Sequence, residues 1–182
     1  AIRQRTRGGE TAAIGNLANL GLILMDQGKL DTAAAILDRA IALDRAIVPI
    51  DTSRRSELLN GRSAVAYRSG KPDLALSLSR EALGILQAKL DSTHPRVLAQ
   101  QGNIAFLLDR SGRAEEAVPL LEVTLAGLRT RLPSPHPAVL ANMATLGAAL
   151  GRLGRHADAV VILGEVVAIE RDGPVVTLLL NE

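Results

Sequence analysis

The chain has 182 residues, a formal net charge of +2 and no cysteine, and 47% of its residues are hydrophobic although only 1% are aromatic. The length allows one domain with a core or a short array of repeats, and the lack of cysteine excludes disulfides, thiolate metal sites and cysteine nucleophiles. The charge is too small to indicate a nucleic-acid partner, and stacking aromatics are nearly absent, so none is expected.

We expect the first residues, 1–9, to form an N-terminal extension and not a signal peptide. It is basic at Arg3 and Arg5 but has no apolar core after it, unlike a signal peptide. The apolar stretch 17–25 ends at Asp26 and Gln27, well short of the roughly 18–20 residues that span a bilayer. We therefore expect a cytoplasmic protein without a membrane segment.

Four glycines recur at intervals of 42 residues and mark an internal repeat: Gly28, Gly70, Gly112 and Gly154. Each is followed by Lys or Arg and, five residues later, by an alanine, at 33, 75, 117 and 159. Glycine ends helices well because it adopts positive φ without a Cβ clash. The pattern predicts four pairs of helices, in repeats one to four at residues 10–51, 52–93, 94–135 and 136–171. We name the first helix of each repeat helix A and the second helix B.

Repeat one carries the clearest helical periodicity. Leu17, Leu20 and Leu24 recur at three-to-four spacing before the glycine, and Ala33 and Ile41 belong to the corresponding face after it. A small residue lies seven positions before each turn glycine, namely Gly21, Ser63, Ala105 and Gly147. Small side chains at this position and at the alanine column predict that the two helices of a pair approach closely. In repeat four, the same reasoning places Leu163 and Val167 on the apolar face.

Repeat two is the weakest, because Arg62 occupies a position where the other repeats have Leu or Ile. Repeats three and four begin with the element His-Pro-x-Val, at His94 and His136. Proline is favoured in the first turn of a helix, so these histidines are interpreted as starting helix A and not as catalytic groups. His156 follows a turn glycine and is expected to be exposed.

The acidic residues near the start of each helix B suit the positive end of the helix dipole, so we expect them to cap these helices. They are Asp31, Asp73, Glu115, Glu116 and Asp158. No zinc-type spacing, phosphate-binding loop or nucleophile elbow is present. We therefore predict a protein that is not an enzyme and that has no cofactor and no metal site.

The last segment, residues 172–182, is apolar and opens with Gly173-Pro174-Val175-Val176, which echoes the start of repeat four. It is interpreted as a capping helix or as the start of a fifth repeat. Because it is too apolar for a solvated cap, the fifth repeat is favoured. A helix left uncovered in this way is a candidate surface for self-association.

These columns resemble the tetratricopeptide repeat (TPR): a large residue, Leu and a small residue on helix A, Gly at the turn, and Ala twice on helix B. Repeat one matches best, through Leu17, Gly21, Gly28, Ala33 and Ala40. The 42-residue period exceeds the usual period of about 34 and, with the His-Pro element, resembles the kinesin-light-chain subtype common in bacterial signalling proteins. The resemblance implies an all-α, right-handed superhelical solenoid of antiparallel helix pairs, with four repeats and a partial fifth helix.

In such repeats helix A lines the concave groove, so the resemblance implies that its non-core columns face a bound peptide. One column holds Asn19 and Asn103, whose amides can both donate and accept hydrogen bonds. Another holds Arg68, Arg110 and Arg152, although these could equally be a solvated helix surface. The remaining candidates for the groove are Asn60, Arg62 and Phe106.

Two functions are compatible with these features. The first is a protein–protein interaction scaffold that binds an extended, acidic peptide segment in this groove, with arginine side chains on its carboxylates. The second is a regulatory arm of a larger bacterial signalling protein, such as a kinase, a nucleotide-driven switch or a caspase-like protease. Such an arm would act within its own chain or through self-association of the C-terminal helix. The sequence names no partner.

Overall fold

A computed structural model describes residues 2–49, 51–133 and 135–171, and within these ranges the chain forms helices and no strand. The eight helices are α1 (Ile2–Asp26), α2 (Leu30–Arg45), α3 (Thr52–Arg68), α4 (Pro72–Gln87), α5 (Pro95–Arg110), α6 (Ala114–Arg131), α7 (Pro137–Arg152) and α8 (His156–Arg171). Helices A are α1, α3, α5 and α7, and helices B are α2, α4, α6 and α8. The predicted segment 172–182, including its role as a cap, a fifth repeat or a surface for self-association, lies outside the described residues.

The turn between the two helices of each pair has the predicted geometry. The four glycines have φ angles of 74°, 70°, 77° and 75°, in the left-handed region that side chains avoid. After Gly28, the amide of Lys29 donates to the carbonyl of Leu24 over 2.9 Å, and the amide of Gly28 donates to Met25 over 3.0 Å. These two bonds satisfy carbonyls at the end of α1. The same pair of bonds recurs at the other three glycines.

The chain folds as two compact units, Ala1–Leu90 and Asp91–Glu182. In the first unit, α1 packs on α2, α2 on α3 and α3 on α4; in the second, α5 packs on α6, α6 on α7 and α7 on α8. In the first unit, one cluster of buried residues joins Ile14, Ala40, Ile41, Leu58, Leu59 and Ala82, and a second joins Ala33, Leu37 and Val65. Each unit is thus built from alternating A and B helices.

The close approach of paired helices depends on the small residue of helix A. A Cβ placed on Gly21 would lie 2.6 Å from Cγ of Leu37, and a Cβ on Gly147 would lie 2.6 Å from Cγ of Leu163. Both distances are far below van der Waals contact, so the glycine lets the leucine of helix B rest on the backbone of helix A. The predicted close packing at this column is confirmed at these two glycines.

The His-Pro element starts helix A as predicted. His94 is the N-cap of α5, and its Nδ1 accepts a hydrogen bond from the amide of Arg96 over 3.1 Å. His136 caps α7 in the same way over 3.1 Å. Repeat two lacks the motif, and there Oδ1 of Asp51 accepts from the amide of Arg54 over 3.1 Å. His156 is exposed, as expected.

The prediction that the acidic residues cap the B helices is wrong. They lie in the first turn, but the N-caps of α2, α4 and α6 are Lys29, Lys71 and Arg113, which make no side-chain capping bond. Glu116 instead pairs with the Arg113 guanidinium at 2.6 Å, and Asp158 pairs with Arg155 at 2.8 Å. The carboxylates still lie near the positive end of the helix dipole.

The predicted apolar faces need correction at both ends of the described chain. Leu20 is 43% exposed, Leu163 is 38% exposed and Val167 is 63% exposed, whereas the neighbouring Val166 is only 8% exposed. The equivalent residues of earlier repeats are buried. Val167 corresponds to Ile41 and Leu125, which are at most 6% exposed. Leu20 and Val167 thus belong to faces that are covered in the interior of the array.

A buried ion pair network joins α2 to the start of α3. Asp44 is 1% exposed, and its two carboxylate oxygens accept from Nε of Arg54 at 2.5 Å and Nε of Arg55 at 2.6 Å. Arg55 also donates to the carbonyl of Asp44 over 2.7 Å. The following repeats place Leu86 and Leu128 at the position of Asp44, and Val97 and Val139 at the position of Arg55. Charged residues therefore occupy positions that are apolar in these later helices, although α8 again carries an acid, Glu170, at the position of Asp44.

The segment before α5 carries a carboxylate with a shifted pKa. Oδ1 of Asp91 accepts from the hydroxyl of Thr93 over 2.7 Å and from its amide over 2.9 Å. The Thr93 hydroxyl bond, more than any other influence, holds the pKa of Asp91 below its ordinary value. Arg131, at the end of α6, donates to the same hydroxyl. This contact ties the start of α5 to the end of its partner helix.

Candidate functional site

The first unit contains a cavity of about 440 Å³ between its two A helices, α1 and α3. Its floor is apolar, and polar side chains lie at its margins. The lining residues are Ile14, Gly15, Ala18, Asn19, Leu22, Leu37, Arg54, Glu57, Leu58, Asn60 and Gly61. Two predicted groove residues, Asn19 and Asn60, are thus brought to one site although they lie in different repeats.

Small residues open this cavity. A Cβ placed on Gly15 would meet nothing within 4 Å, and one on Gly61 would lie 3.4 Å from Cδ2 of Leu22. Ala18 also contributes little volume to the lining. Leu37, from α2, reaches the floor between the A helices and is almost fully buried at 1% exposure. The floor therefore consists of side chains held by the core, which makes the cavity a preformed feature.

Asn60 supplies an acceptor that the fold leaves unused. Its Oδ1 atom is buried and has no hydrogen-bond partner among the described residues. Buried polar atoms are nearly always paired, because an unpaired one costs roughly 1–3 kcal/mol. Asn19 is exposed on α1, at the other side of the same cavity. The cavity therefore brings the amide side chains of Asn60 and Asn19 to one site.

The predicted arginine column is engaged within the chain. Nη1 of Arg68 lies 3.4 Å from Oδ1 of Asp26, which occupies the same column one repeat earlier. The two side chains are 43% and 75% exposed, so this ion pair is open to water and worth little. In the second unit, Arg152 pairs with the carboxylate of Asp109, which is 2% exposed.

Arg62, another predicted groove residue, forms an ion pair within the first unit. Its Nε donates to Oδ1 of Asp38 on α2 over 2.8 Å, and its side chain is only 13% exposed. The arginine that weakened the periodicity of repeat two is therefore paired with a carboxylate from the preceding helix B. This contact explains how a charged residue fits a position that is apolar in α5 and α7.

Helix α5 presents the remaining predicted site residues on an exposed surface of the second unit. Asn103, Phe106 and Arg110 are all exposed, and they follow each other at spacings of three and four residues, so they share one face. The guanidinium carbon of Arg110 lies 5.9 Å from the centre of the Phe106 ring, within the range of a cation–π contact. The ring therefore holds the arginine over an apolar surface.

Within residues 2–49, 51–133 and 135–171, no group of three or more His, Asp or Glu residues is arranged to hold a metal ion. In the same residues, no helix combines the length and the apolar character needed to cross a membrane. Two features that contain predicted site residues are the cavity between α1 and α3 and the exposed face of α5.

Three protein-family profiles match the chain, and each describes a tetratricopeptide repeat; the matches cover residues 54–130, 14–47 and 143–165. The chain belongs to the tetratricopeptide repeat family. Its repeats carry the glycine turn and the small helix-A residue on which the resemblance was based. The predicted all-α TPR solenoid class is confirmed.

Solved structures extend this assignment. The TPR chain is 26% identical to a protein of Podosopora anserina described as a kinesin light chain with nearly identical TPR-like repeats; the TM-score is 0.72, over 87% of this chain and 74% of that one. BtubC (BKLC) from P. vanneervenii gives a TM-score of 0.76 at 14% identity, over 93% of this chain and 74% of that chain. Pseudomonas aeruginosa pilF gives 0.65 at 23% identity, over 92% and 66% respectively.

The first of these similarities supports kinesin-light-chain-like repeats, and the other two show the fold alone. No protein of curated function matches the TPR chain in sequence. The repeat fold is that of a protein–protein interaction scaffold. What such a scaffold binds depends on the side chains of the cavity and of α5, which the family match does not specify.

Several contributors to the TPR cavity were not identified from the sequence. Ile14 and Leu58 form part of the floor, and Gly15 opens it. Only Gly15, a glycine inside an otherwise regular helix and outside the repeat pattern, could have suggested a site where a side chain is excluded. The buried acid Asp109 was also missed, because its position just before Arg110 looks like an exposed helix end.

Proposed function

We propose that this TPR chain is a scaffold that binds an extended segment of a partner protein through its A helices. The main support is the preformed cavity between α1 and α3, which combines an apolar floor with an unpaired Asn60 acceptor. Its volume of about 440 Å³ lies at the lower end of the range for ligand pockets, about 300–1,000 Å³. That space suits one or two side chains of a peptide, not a whole folded element.

The chemistry of the cavity specifies the central residue of the segment. Leu22, Leu37 and Leu58 would surround an aliphatic side chain, which gains free energy by leaving water. Asn60 Oδ1 would accept a hydrogen bond from the backbone N–H beside that side chain, and Asn19 would pair with an adjacent peptide group. We therefore propose an extended segment with an aliphatic anchor as the ligand of the first unit.

We further propose that acidic residues flank this anchor and contact Arg68, the member of the arginine column that lies in the first unit. Arg68 is held only by an exposed pair with Asp26, so a ligand carboxylate can take the place of Asp26 at little cost. In the second unit, Arg110 and Phe106 would form a site of their own for a carboxylate next to an apolar group. Arg152 differs, since its pair with the nearly buried Asp109 holds it in place.

The test of the anchor uses a library of random extended peptides, from which binders to the wild-type chain are selected. Gly15→Leu places a side chain into the cavity, because Gly15 lines the cavity and the space beside it is open. Gly84→Leu is the matched control, since Gly84 lies on α4 with nothing within 4 Å. We expect Gly15→Leu to weaken binding at least tenfold by fluorescence anisotropy, with Gly84→Leu at the wild-type value. Equal affinities for both variants would refute the cavity as the binding site.

The test of the acidic preference measures the same selected peptides with their Asp and Glu residues replaced by Asn and Gln. Arg68→Ala is expected to reduce affinity for the acidic peptides and not for the amide versions. Affinity should also fall as salt rises, because exposed charges are screened. If Arg68→Ala binds the acidic peptides as the wild type does, Arg68 is solvated surface and the proposed preference for acidic ligands is refuted.

A second candidate is the regulatory arm of a larger bacterial signalling protein in the cytoplasm. The observation that favours it is the exposed apolar surface of α8, where Val160, Val161 and Val167 are 71%, 62% and 63% exposed. Such a surface marks an interaction site in a folded protein. The sequence of the complete gene tests this candidate, since a catalytic domain beside the repeats would favour it and its absence would remove it.

A further inference from the structure

The second unit contains a cavity of about 390 Å³ between its two B helices, α6 and α8. Leu146 and Leu150 of α7 form its floor together with Leu125 of α6, and all three are buried. Glu122 of α6 and the half-buried Ile162 of α8 lie at its two walls. We call this cavity the B-helix slot. Its volume falls within the range of ligand pockets, about 300–1,000 Å³.

The charged side chains at the B-helix slot are unequally paired. Arg129 of α6 reaches Glu165 of α8 at 2.8 Å, and Arg155 pairs with Asp158 at the same distance. Glu122 lies 4.0 Å from Arg155, which is too long for a hydrogen bond. Of these three carboxylates, Glu122 is therefore the one held least by the chain itself.

The first unit shows what the equivalent place can hold. Arg62 of α3 occupies the position of Leu146, and Asp38 of α2 occupies the position of Glu122. The Arg62 side chain is only 13% exposed, and its Nε donates to Oδ1 of Asp38 over 2.8 Å. The fold thus accommodates a guanidinium beside this acid in the first unit. In the second unit Leu146 is too short to reach the acid, and the B-helix slot offers space and a carboxylate instead.

The framework around the two places is the same. Arg45 of α2 pairs with Glu81 of α4 at 2.8 Å, in the same two columns as the Arg129 pair. The side chains of Asp38, Arg45 and Glu81 are 57%, 57% and 41% exposed, although further helices follow α4 in the chain. Access of water to this side is therefore a property of the B helices in general and does not depend on α8 being the last described helix.

We propose that the B-helix slot binds an arginine side chain of a partner protein. The guanidinium lies on Glu122, and the methylene groups lie along Leu146 and Ile162, since arginine buries its stem on apolar surface while its charge stays at the margin. A planar guanidinium pairs with both oxygens of a carboxylate, which a lysine ammonium does not do. This ligand differs in charge and in place from the acidic segment proposed for the cavity between α1 and α3.

The test titrates the peptide acetyl-Ala-Arg-Ala-amide into the ¹⁵N-labelled 182-residue chain and follows amide chemical shifts by NMR. Saturable shifts are expected at Glu122, Ala126 and Ile162, which line the B-helix slot. Two matched peptides replace the arginine by citrulline, which has nearly the same shape without the charge, or by lysine. Both should bind about fivefold more weakly, the upper range for an exposed ion pair. Shifts centred elsewhere, or equal affinities for the three peptides, overturn the proposal.

Two variants of the chain test the roles of the acid and of the space. Glu122→Gln removes the charge at almost unchanged size and should weaken the arginine peptide about fivefold. Glu115→Gln is the matched control, because Glu115 is an exposed acid of α6 that does not line the B-helix slot; it should bind as the wild type does. Leu146→Arg supplies the arginine that the first unit has as Arg62, so it should occupy the slot and prevent binding.

Circular dichroism checks that the variants remain helical. If Glu122→Gln binds the arginine peptide as Glu115→Gln does, the carboxylate is not the recognition element and the proposal is overturned. Wild-type affinity of a folded Leu146→Arg chain overturns it as well, because the peptide would then bind outside the slot. If Leu146→Arg unfolds, the comparison of the two glutamine variants decides alone.

Discussion

Replacement of Gly21 by alanine tests the close approach of helices α1 and α2. The new Cβ would lie 2.6 Å from Cγ and 2.9 Å from Cδ2 of Leu37. Leu37 is 1% exposed and is enclosed with Ala33 and Val65 in a buried cluster, so it can move only towards the cavity that it lines between α1 and α3. Overpacking of this kind costs about 1–3 kcal/mol. The change also removes a helix-interior glycine, which offsets about 0.8–1 kcal/mol of that cost.

Two further variants separate these contributions. Gly15→Ala, on the same helix, gains the helix propensity without a clash, because nothing lies within 4 Å of its Cβ. The free energy of unfolding of Gly21→Ala is therefore expected to be about 1–3 kcal/mol below that of Gly15→Ala. Gly147→Ala makes the same short contact with Leu163, but that side chain is 38% exposed and can rotate into water. Its cost should therefore be smaller than that of Gly21→Ala.

Urea unfolding followed by circular dichroism provides the free energies, and thermal midpoints provide a second reading at about 2–4 °C per kcal/mol for a chain of this size. The reasoning about the helix contact would be refuted if Gly21→Ala were as stable as Gly15→Ala. If Gly147→Ala were destabilised as strongly as Gly21→Ala, burial of the leucine would not control the cost.

Three further predictions concern charge, pH and packing. Asp44→Ala should reduce the free energy of unfolding by about 3–5 kcal/mol, because the buried Arg55 loses its partner. The double variant Asp44→Leu with Arg55→Val, which has the residue types of the following repeats, should recover most of this loss. Equal losses for the single and the double variant in urea titrations would contradict this. The pKa of Asp91 is lowered in the folded state by Thr93, so its stabilising contribution is complete above the ordinary aspartate pKa and is lost as pH falls through the lowered value. Asp91→Asn should therefore flatten the acid side of the stability profile, and NMR titration of the wild type should place the pKa of Asp91 below its ordinary value. Ala117→Leu should destabilise by about 1–3 kcal/mol, because Ala117 is 0% exposed; a thermal midpoint equal to that of the wild type would show that α6 can move aside.

The amino-acid sequence was sufficient to predict the helices, their pairing and the family. These features depend on local chemistry, since a glycine with positive φ ends a helix and a histidine before proline starts one. The repetition of Gly28 and its equivalents every 42 residues placed each helix in register. The small residue at Gly21 likewise predicted the close contact between helices A and B, because only a residue without Cβ allows that distance.

The identity of the residues around the cavity was decided by tertiary structure alone. Ile14 and Leu58 lie 44 positions apart in the chain, and only the packing of α1 beside α3 makes them one floor. Charge partners were equally hidden, because Arg62 and Asp38 are not helix neighbours and pair only when α3 lies on α2. Local periodicity can assign a residue to a helix face, but which other face lies opposite depends on contacts between distant segments. The same limit explains why Leu20 and Val167 were expected in the core. The column of Val167 is apolar in every repeat and that of Leu20 in every repeat but the second, and only the tertiary structure shows that no described helix covers these two side chains.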